Sequence, residues 1–248
     1  MLKNKNIIVL GGLGRIGLGC VEEIIKNNGK VLIVDKINNN KKIKLNKNVE
    51  LINLDMLKLK NIDKVINLAK KKFSKIDGFI NAFYPKSKKW GAKFEKLELK
   101  YLKQDINNQL AVPIIINQKF IKFFLKQGYG NIINIASIQG TNNPKFNHYK
   151  NLKMSSPIEY SAIKAATISY SRYLAKFYMK KKIRINTVSP GGIVDNQPLL
   201  FQKRYKQDCG SKGLLDSKDI SSTIIFLLSD HSKFINGQNI IIDDGWSL

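Results

Sequence analysis

Apolar runs of strand length alternate along this chain with amphipathic stretches of helix length, and a glycine-rich turn joins the first run to the first helix. Together these predict an α/β protein built on a doubly wound parallel sheet of about seven strands, with helices on both faces. The 248 residues and 43% hydrophobic content can fill one large core, so residues 1–248 are read as a single domain. The predicted strands are 6–10, 30–34, 49–54, 78–82, 130–136, 183–189 and 239–242. Helices are expected over 14–27, 62–73, 98–127, 159–180 and 217–228, the last capped by Asp216 or Ser217. Right-handed crossovers between such strands place ligands at the carboxyl edge of the sheet. Two segments rich in Gly, Pro, Asn and Ser, 140–157 and 191–213, are expected as loops on this edge that form the substrate pocket.

Composition narrows the function classes. No stretch approaches 18 uncharged apolar residues, so no membrane partner is expected. Residues 1–10 carry two lysines and only four consecutive apolar residues before Gly11, which is too short for a secretory signal; a cytoplasmic location is the expectation. Cys20 and Cys209 are far apart, with no CxxC and no histidine cluster, so neither a disulfide framework nor a metal site is supported. The formal net charge of +25 raises nucleic acid as a partner. Lysine supplies nearly all of it, spread along the chain without the arginine and aromatic interleaving of a base-reading surface. Clusters such as Lys41-Lys42, Lys70-Lys71-Lys72 and Lys180-Lys181-Lys182 are read as solvated faces, and no nucleic acid is expected. The positive field would still favour anionic small ligands.

The first strand runs into Gly11-Gly12-Leu13-Gly14-Arg15-Ile16-Gly17. Glycines there allow a tight turn, close approach of backbone to a pyrophosphate, and close packing of helix on strand. The phosphates would sit at the helix N-terminus, where free N–H groups and the helix dipole favour anions. Asp35 ends the second strand 18 residues after Gly17, where a carboxylate can bond a ribose 2'-hydroxyl. The turn therefore predicts a Rossmann-type dinucleotide site. The same carboxylate would repel a 2'-phosphate, favouring NAD over NADP, although Lys36 and the lysines beyond it weaken that preference.

Residues 131–135 deliver Ser137 at a strand's carboxyl end, and Tyr160 and Lys164 follow four apart on one face of the next helix. Bringing a phenol into titration near pH 7 to 8 requires a fall of about 2 to 3 pH units, or roughly 3 to 4 kcal/mol. One ammonium at about 4 Å in an effective dielectric of about 20 supplies about 4 kcal/mol. Lys164 is therefore expected to make Tyr160 a proton donor and acceptor, with Ser137 positioning the reacting oxygen.

These residues resemble the short-chain dehydrogenase/reductase family, and the resemblance runs over essentially the whole chain. Its Ser and Tyr-x-x-x-Lys core matches Ser137, Tyr160 and Lys164. The resemblance implies that Lys164 also holds the nicotinamide ribose, that Pro190, Gly191 and Ile193 meet the nicotinamide carboxamide, and that Asp55 and Met56 contact adenine. It implies an asparagine in the long fourth helix that supports a water relay; Asn107 is taken for it, with Asn108 adjacent and the local spacing stretched. The final strand resembles the family's through Ile235-Asn236-Gly237-Gln238 and Asp243-Asp244-Gly245. Gly11, Gly14 and Gly17 have the spacing of the sugar-nucleotide branch, Asn81-Ala82-Phe83 replaces the usual Asn-Ala-Gly, and Asp195 stands where threonine is frequent near the pyrophosphate. Residues 127–135 and 189–198 resemble members associated with flagellin modification and bacterial nonulosonic (legionaminic-type) sugar biosynthesis. The expectation is an NAD-dependent oxidoreductase acting on a secondary alcohol or ketone of a sugar derivative. Asn142, Asn143, His148, Asn196 and Gln197 would suit the sugar. Alternatives are a 3-oxoacyl-type carbonyl reductase using NADPH and a catalytically inactive dinucleotide-sensing or RNA-binding protein. A homo-oligomer, dimer or tetramer, is implied, with Phe120, Phe123, Phe124, Tyr170, Tyr173 and Phe177 as contacts that could equally be core.

Overall fold

In the computed structural model, residues 1–37, 43 and 46–248 are described; Lys41 and Lys42 lie outside them. The elements in chain order are β1 (Asn6–Leu10), α1 (Arg15–Lys26), β2 (Lys30–Asp35), β3 (Val49–Asn53), α2 (Lys60–Phe73), β4 (Gly78–Asn81), α3 (Leu99–Ile106), α4 (Val112–Gln127), β5 (Gly130–Ile135), α5 (Ile158–Phe177), β6 (Ile183–Pro190), α6 (Leu199–Gln207), α7 (Ser217–Leu228) and β7 (Asn239–Ile242). All seven expected strands form. They build one parallel sheet in the order β3-β2-β1-β4-β5-β6-β7. The order reverses between β1 and β4, and that crevice is where an open α/β sheet binds its ligand.

Strands β1, β4 and β5 are buried along their whole length, as a sheet covered on both faces requires. One face packs Phe79 of β4 under α2 and α4, with Phe79 and Phe120 stacked at 4.1 Å. The other packs Val9 and Ile133 under α1 and α7. A buried amide network ties the layers together. Asn134 of β5 accepts from Asn117 Nδ2 at 3.2 Å and donates to Asn117 Oδ1 at 3.2 Å and to Ser171 Oγ at 3.0 Å. It thereby fixes α4 and α5 over the sheet end.

Two elements differ from expectation. The helix expected over 98–127 is broken by a wide π-helical turn at Asn107–Ala111. Pro113 lies just beyond it and has no N–H for the carbonyl four residues back, so an α-helical register cannot continue through this point. The segment 191–213 is not a plain loop, because it contains α6, which buries Phe201 and Tyr205 four residues apart on one face. These side chains join Ile138, Leu214 and Trp246 in a third apolar cluster. Helix α7 carries the expected cap, with Asp216 and Asp219 bonding each other's backbone N–H groups.

Candidate active site

A cavity of about 590 Å³ opens at the carboxyl edge of the sheet, over the β1/β4 crevice. Its floor is the glycine turn. A Cβ on Gly17 would stand 2.2 Å from Gly11 O, and Gly11 itself has φ +71° and would place a Cβ 2.8 Å from Ala82 O. Only glycine fits either position. Gly14 caps α1 without a side-chain hydrogen bond, and the first turn of α1 holds no acidic residue, so the helix end is left to an anion. Asp35 lines the same cavity; its carboxylate accepts from Leu13 N–H at 3.0 Å and Ile37 N–H at 3.2 Å. Gly14, Arg15, Ile16, Asp55, Met56, Asn81, Ala82, Pro190, Gly191 and Ile193 line the cavity as well. A dinucleotide fits these residues: a side-chain-free turn for the pyrophosphate, with a carboxylate one strand away.

At the other end of the cavity, Tyr160 and Lys164 of α5 meet the end of β5. Ser137 is buried, its Oγ accepts from Gln139 N–H at 3.2 Å, and it hydrogen-bonds the Tyr160 phenol. Lys164 Nζ donates to Ile135 O at 2.9 Å and stands 5.6 Å from the centre of the Tyr160 ring and 5.4 Å from that of Tyr84. Burial holds the phenol above its ordinary value against the opposing hydrogen bond from Ser137. Burial also pulls the Lys164 ammonium down to about 8. Desolvation acts on both groups, so burial and not the ammonium sets the direction of the phenol's shift. Tyr160 and Lys164 line the cavity, and Ser137 meets them through its bond to the phenol.

A family model described as enoyl-(acyl carrier protein) reductase matches residues 14–247. The chain belongs to the short-chain dehydrogenase/reductase family. It is an oxidoreductase. The post-translational flagellin modification protein A of Campylobacter coli is 42% identical over 257 residues, covering 100% of both chains. The 7alpha-hydroxysteroid dehydrogenase of Bacteroides fragilis is 28% identical, covering 99% of this chain and 95% of its own. Among solved structures, a short chain dehydrogenase from Leptospira borgpetersenii with bound NAD+ superposes with a TM-score of 0.90 at 25% identity, covering 100% of this chain and 94% of that one.

Within this short-chain dehydrogenase, several expected site residues stand elsewhere. Asn107 is exposed and donates its side-chain amide to Asn108 Oδ1 at 3.1 Å, whereas Asn108 and Gln109 are buried. The wide turn adds a residue to the helix, which stretches the spacing and rotates Asn107 outward. Gln109 instead lines a small polar cavity of about 10 Å³ behind Lys164, with Asn81, Thr167 and Tyr170. His148 does not face the cleft. It is buried among Phe201, Tyr205 and Trp246 and its Nε2 lies 2.5 Å from Asp208 Oδ2. Gln197 is spent on its own loop, donating to Ile193 O at 2.7 Å and accepting from Asp195 N–H at 2.6 Å. Asn143 and Asn196 are exposed, and Asn142 is half-buried beside Ser247.

Sequence reasoning missed the aromatic residues around Tyr160. Tyr84 and Trp90 stand 5.9 and 6.1 Å from the Tyr160 ring, and Tyr149 bonds Gln139 and Ser156 beside them. The signal was present in Phe83-Tyr84-Pro85, aromatic residues directly after the carboxyl end of β4. Arg15 pairs with Asp195 across the cavity mouth, so the unusual aspartate is held by the guanidinium of the glycine turn.

Proposed function

We propose that this enzyme transfers a hydride between NAD and a secondary alcohol or ketone of a sugar derivative, in bacterial surface or flagellin glycan biosynthesis of the nonulosonic, legionaminic type. The observation that carries the reading is that Tyr160 and Lys164 line the cavity floored by the glycine turn, with Ser137 hydrogen-bonded to the Tyr160 phenol. When bound, the nicotinamide supplies the hydride acceptor or donor. Ser137 Oγ holds the reacting oxygen. Tyr160 Oη removes or returns its proton, and the Lys164 ammonium favours the phenolate and holds the nicotinamide ribose. Asp35 would take the adenine-ribose hydroxyls, with Asp55 and Met56 near the adenine and Pro190, Gly191 and Ile193 near the carboxamide. The carboxylate of Asp35 supports NAD over NADP, since a 2'-phosphate would meet a like charge. The sugar assignment is supported by the full-length similarity to the flagellin modification protein.

A second reading, a 3-oxoacyl-type reductase using NADPH, is favoured by the description of the matching family model. Kinetics with NADH and NADPH against keto sugars and ketoacyl thioesters separate the two. Tyr160→Phe is expected to bind NADH normally and to lose turnover by about 10²- to 10⁴-fold. Full turnover in that variant would sink the mechanism.

A further inference from the structure

The ion pair between Arg15 and Asp195 joins two parts of the chain that the sheet keeps apart. Arg15 opens α1 directly after the glycine turn, and Asp195 lies on the segment between β6 and α6. In the sheet order β4 and β5 stand between β1 and β6. With neighbouring strands about 4.8 Å apart, the two segments leave the carboxyl edge about 14 Å from each other. The pair therefore arches over the ends of β4 and β5. Ala82 and Ala136 at those ends line the cavity beneath it, with Arg15 on one side and Ile193 on the other. Asp195 is not part of that lining, so a change there alters the pair without removing a wall.

The carboxylate is held from its own loop. Asp195 Oδ1 accepts from Asn196 N–H at 2.8 Å, and Gln197 accepts from Asp195 N–H at 2.6 Å while donating to Ile193 O at 2.7 Å. Little side-chain freedom is then lost in pairing it, which is the usual cost of an exposed pair. The bond to Arg15, helped by the Asn196 N–H and the charge of Lys86, holds the carboxyl below its ordinary value. The pair is thus ionised at neutral pH. Gln202 Nε2 donates to Gln197 O at 2.8 Å, which ties the same loop to α6. A threonine, frequent at position 195 in the family, has no charge to offer Arg15.

We propose that the Arg15–Asp195 pair is a latch over the cofactor cavity, closed above a seated dinucleotide and opened, together with segment 193–198, whenever the dinucleotide enters or leaves. This rests on the dinucleotide reading of the cavity and adds what retains the cofactor. Release of NADH is followed by its fluorescence in stopped flow, with excess NAD+ as the displacing ligand. An exposed pair contributes a factor of up to about 5, so Asp195→Asn should speed release by about 2- to 5-fold. Asparagine keeps the shape and the acceptor for Asn196 N–H. In Arg15→Gln, which has no latch, adding Asp195→Asn should leave the release rate as it is. Raising NaCl from about 0.05 to about 0.5 M should speed release from the wild type more than from Asp195→Asn, because salt screens an exposed pair. Amide hydrogen exchange over 193–198 in the NADH complex should rise in Asp195→Asn. Should that variant fold poorly, Asp195→Ala removes the carboxylate and carries the same expectations. Unchanged or slower release, an equal acceleration in the Arg15→Gln background, or unchanged exchange over 193–198 overturns the latch. The same series runs with NADPH if NADH does not bind. Binding of either dinucleotide with release indifferent to Asp195 leaves the cofactor reading standing and the latch alone fallen, whereas a wild type that binds neither overturns both.

Discussion

Lys164 shows how burial sets the chemistry of a single residue. Its ammonium donates to Ile135 O, and desolvation draws it down to about 8 from about 10.4 in the unfolded chain. Between those values the unfolded state binds more protons, so the stability of the protein rises with pH across that window. Lys164→Met should abolish the rise, and its melting temperature at pH 7 should equal or exceed that of the wild type, measured by calorimetry from pH 7 to 10. A wild-type profile flat over that range would contradict the burial. Asp35→Asn keeps an acceptor for Leu13 N–H and removes the charge. It should weaken NAD by about 10-fold and narrow the preference over NADP, read from the two binding constants. That Tyr160, Ser137 and Lys164 lie together was legible because the proposed chemistry requires fixed residue types at fixed spacing. Asn107 was not legible, because a single extra residue in a helical turn changes which side chain faces inward and leaves no mark in residue type.

At the scale of elements, segments 140–157 and 191–213 pack as one unit. The 3-10 turn Phe146–Tyr149 docks on α6 through His148 and Asp208, and Arg204 donates to Lys150 O at 2.6 Å and Asn147 O at 3.3 Å. Burial opposes ionisation of Asp208, yet the bond to His148 and the charge of Lys145 hold it below its ordinary value. The carboxyl end of segment 191–213 is tied by Asp244, which accepts from the N–H groups of Ser211, Lys212 and Gly213 at 3.0, 2.5 and 2.8 Å. Those bonds hold its carboxyl down to about 2. Its contribution is complete above about pH 4 and is lost as pH falls toward 2. His148→Ala should cost about 1–3 kcal/mol of stability and expose 199–213 to limited proteolysis. Unchanged protection of that segment would show that the docking lies elsewhere. Gly17→Ala should abolish NAD binding, because its Cβ meets the Gly11 carbonyl. Helix α6 escaped sequence analysis because it is short, and its apolar face is only Phe201 and Tyr205.

For the molecule as a whole, charge and apolar surface lie on different parts of the exterior. Lys70, Lys71 and Lys72 are exposed in the last turn of α2, and Lys180, Lys181 and Lys182 are exposed after α5, where cations suit helix C-termini. No helix among the described residues is long and apolar enough to cross a membrane. Of the six aromatic residues considered as oligomer contacts, Phe120 and Phe124 are core and Phe123 packs against it, whereas Tyr173 and Phe177 are 66% and 67% exposed and stack at 6.1 Å. If α5 pairs with a second copy, Tyr173→Glu with Phe177→Lys should lower the mass seen by light scattering; an unchanged mass would place any interface elsewhere. The sequence by itself determined the sheet, most of its helices, the glycine turn and the nearness of Ser137, Tyr160 and Lys164, since periodicity and backbone freedom are local properties that residue types record. Only the tertiary structure decided that Tyr84 and Trp90 enclose Tyr160, that His148 joins two segments instead of meeting substrate, and that desolvation opposes Lys164. Those depend on which distant segments come within a few ångströms and on how much water they exclude, and neither is written in the spacing of Tyr160 and Lys164.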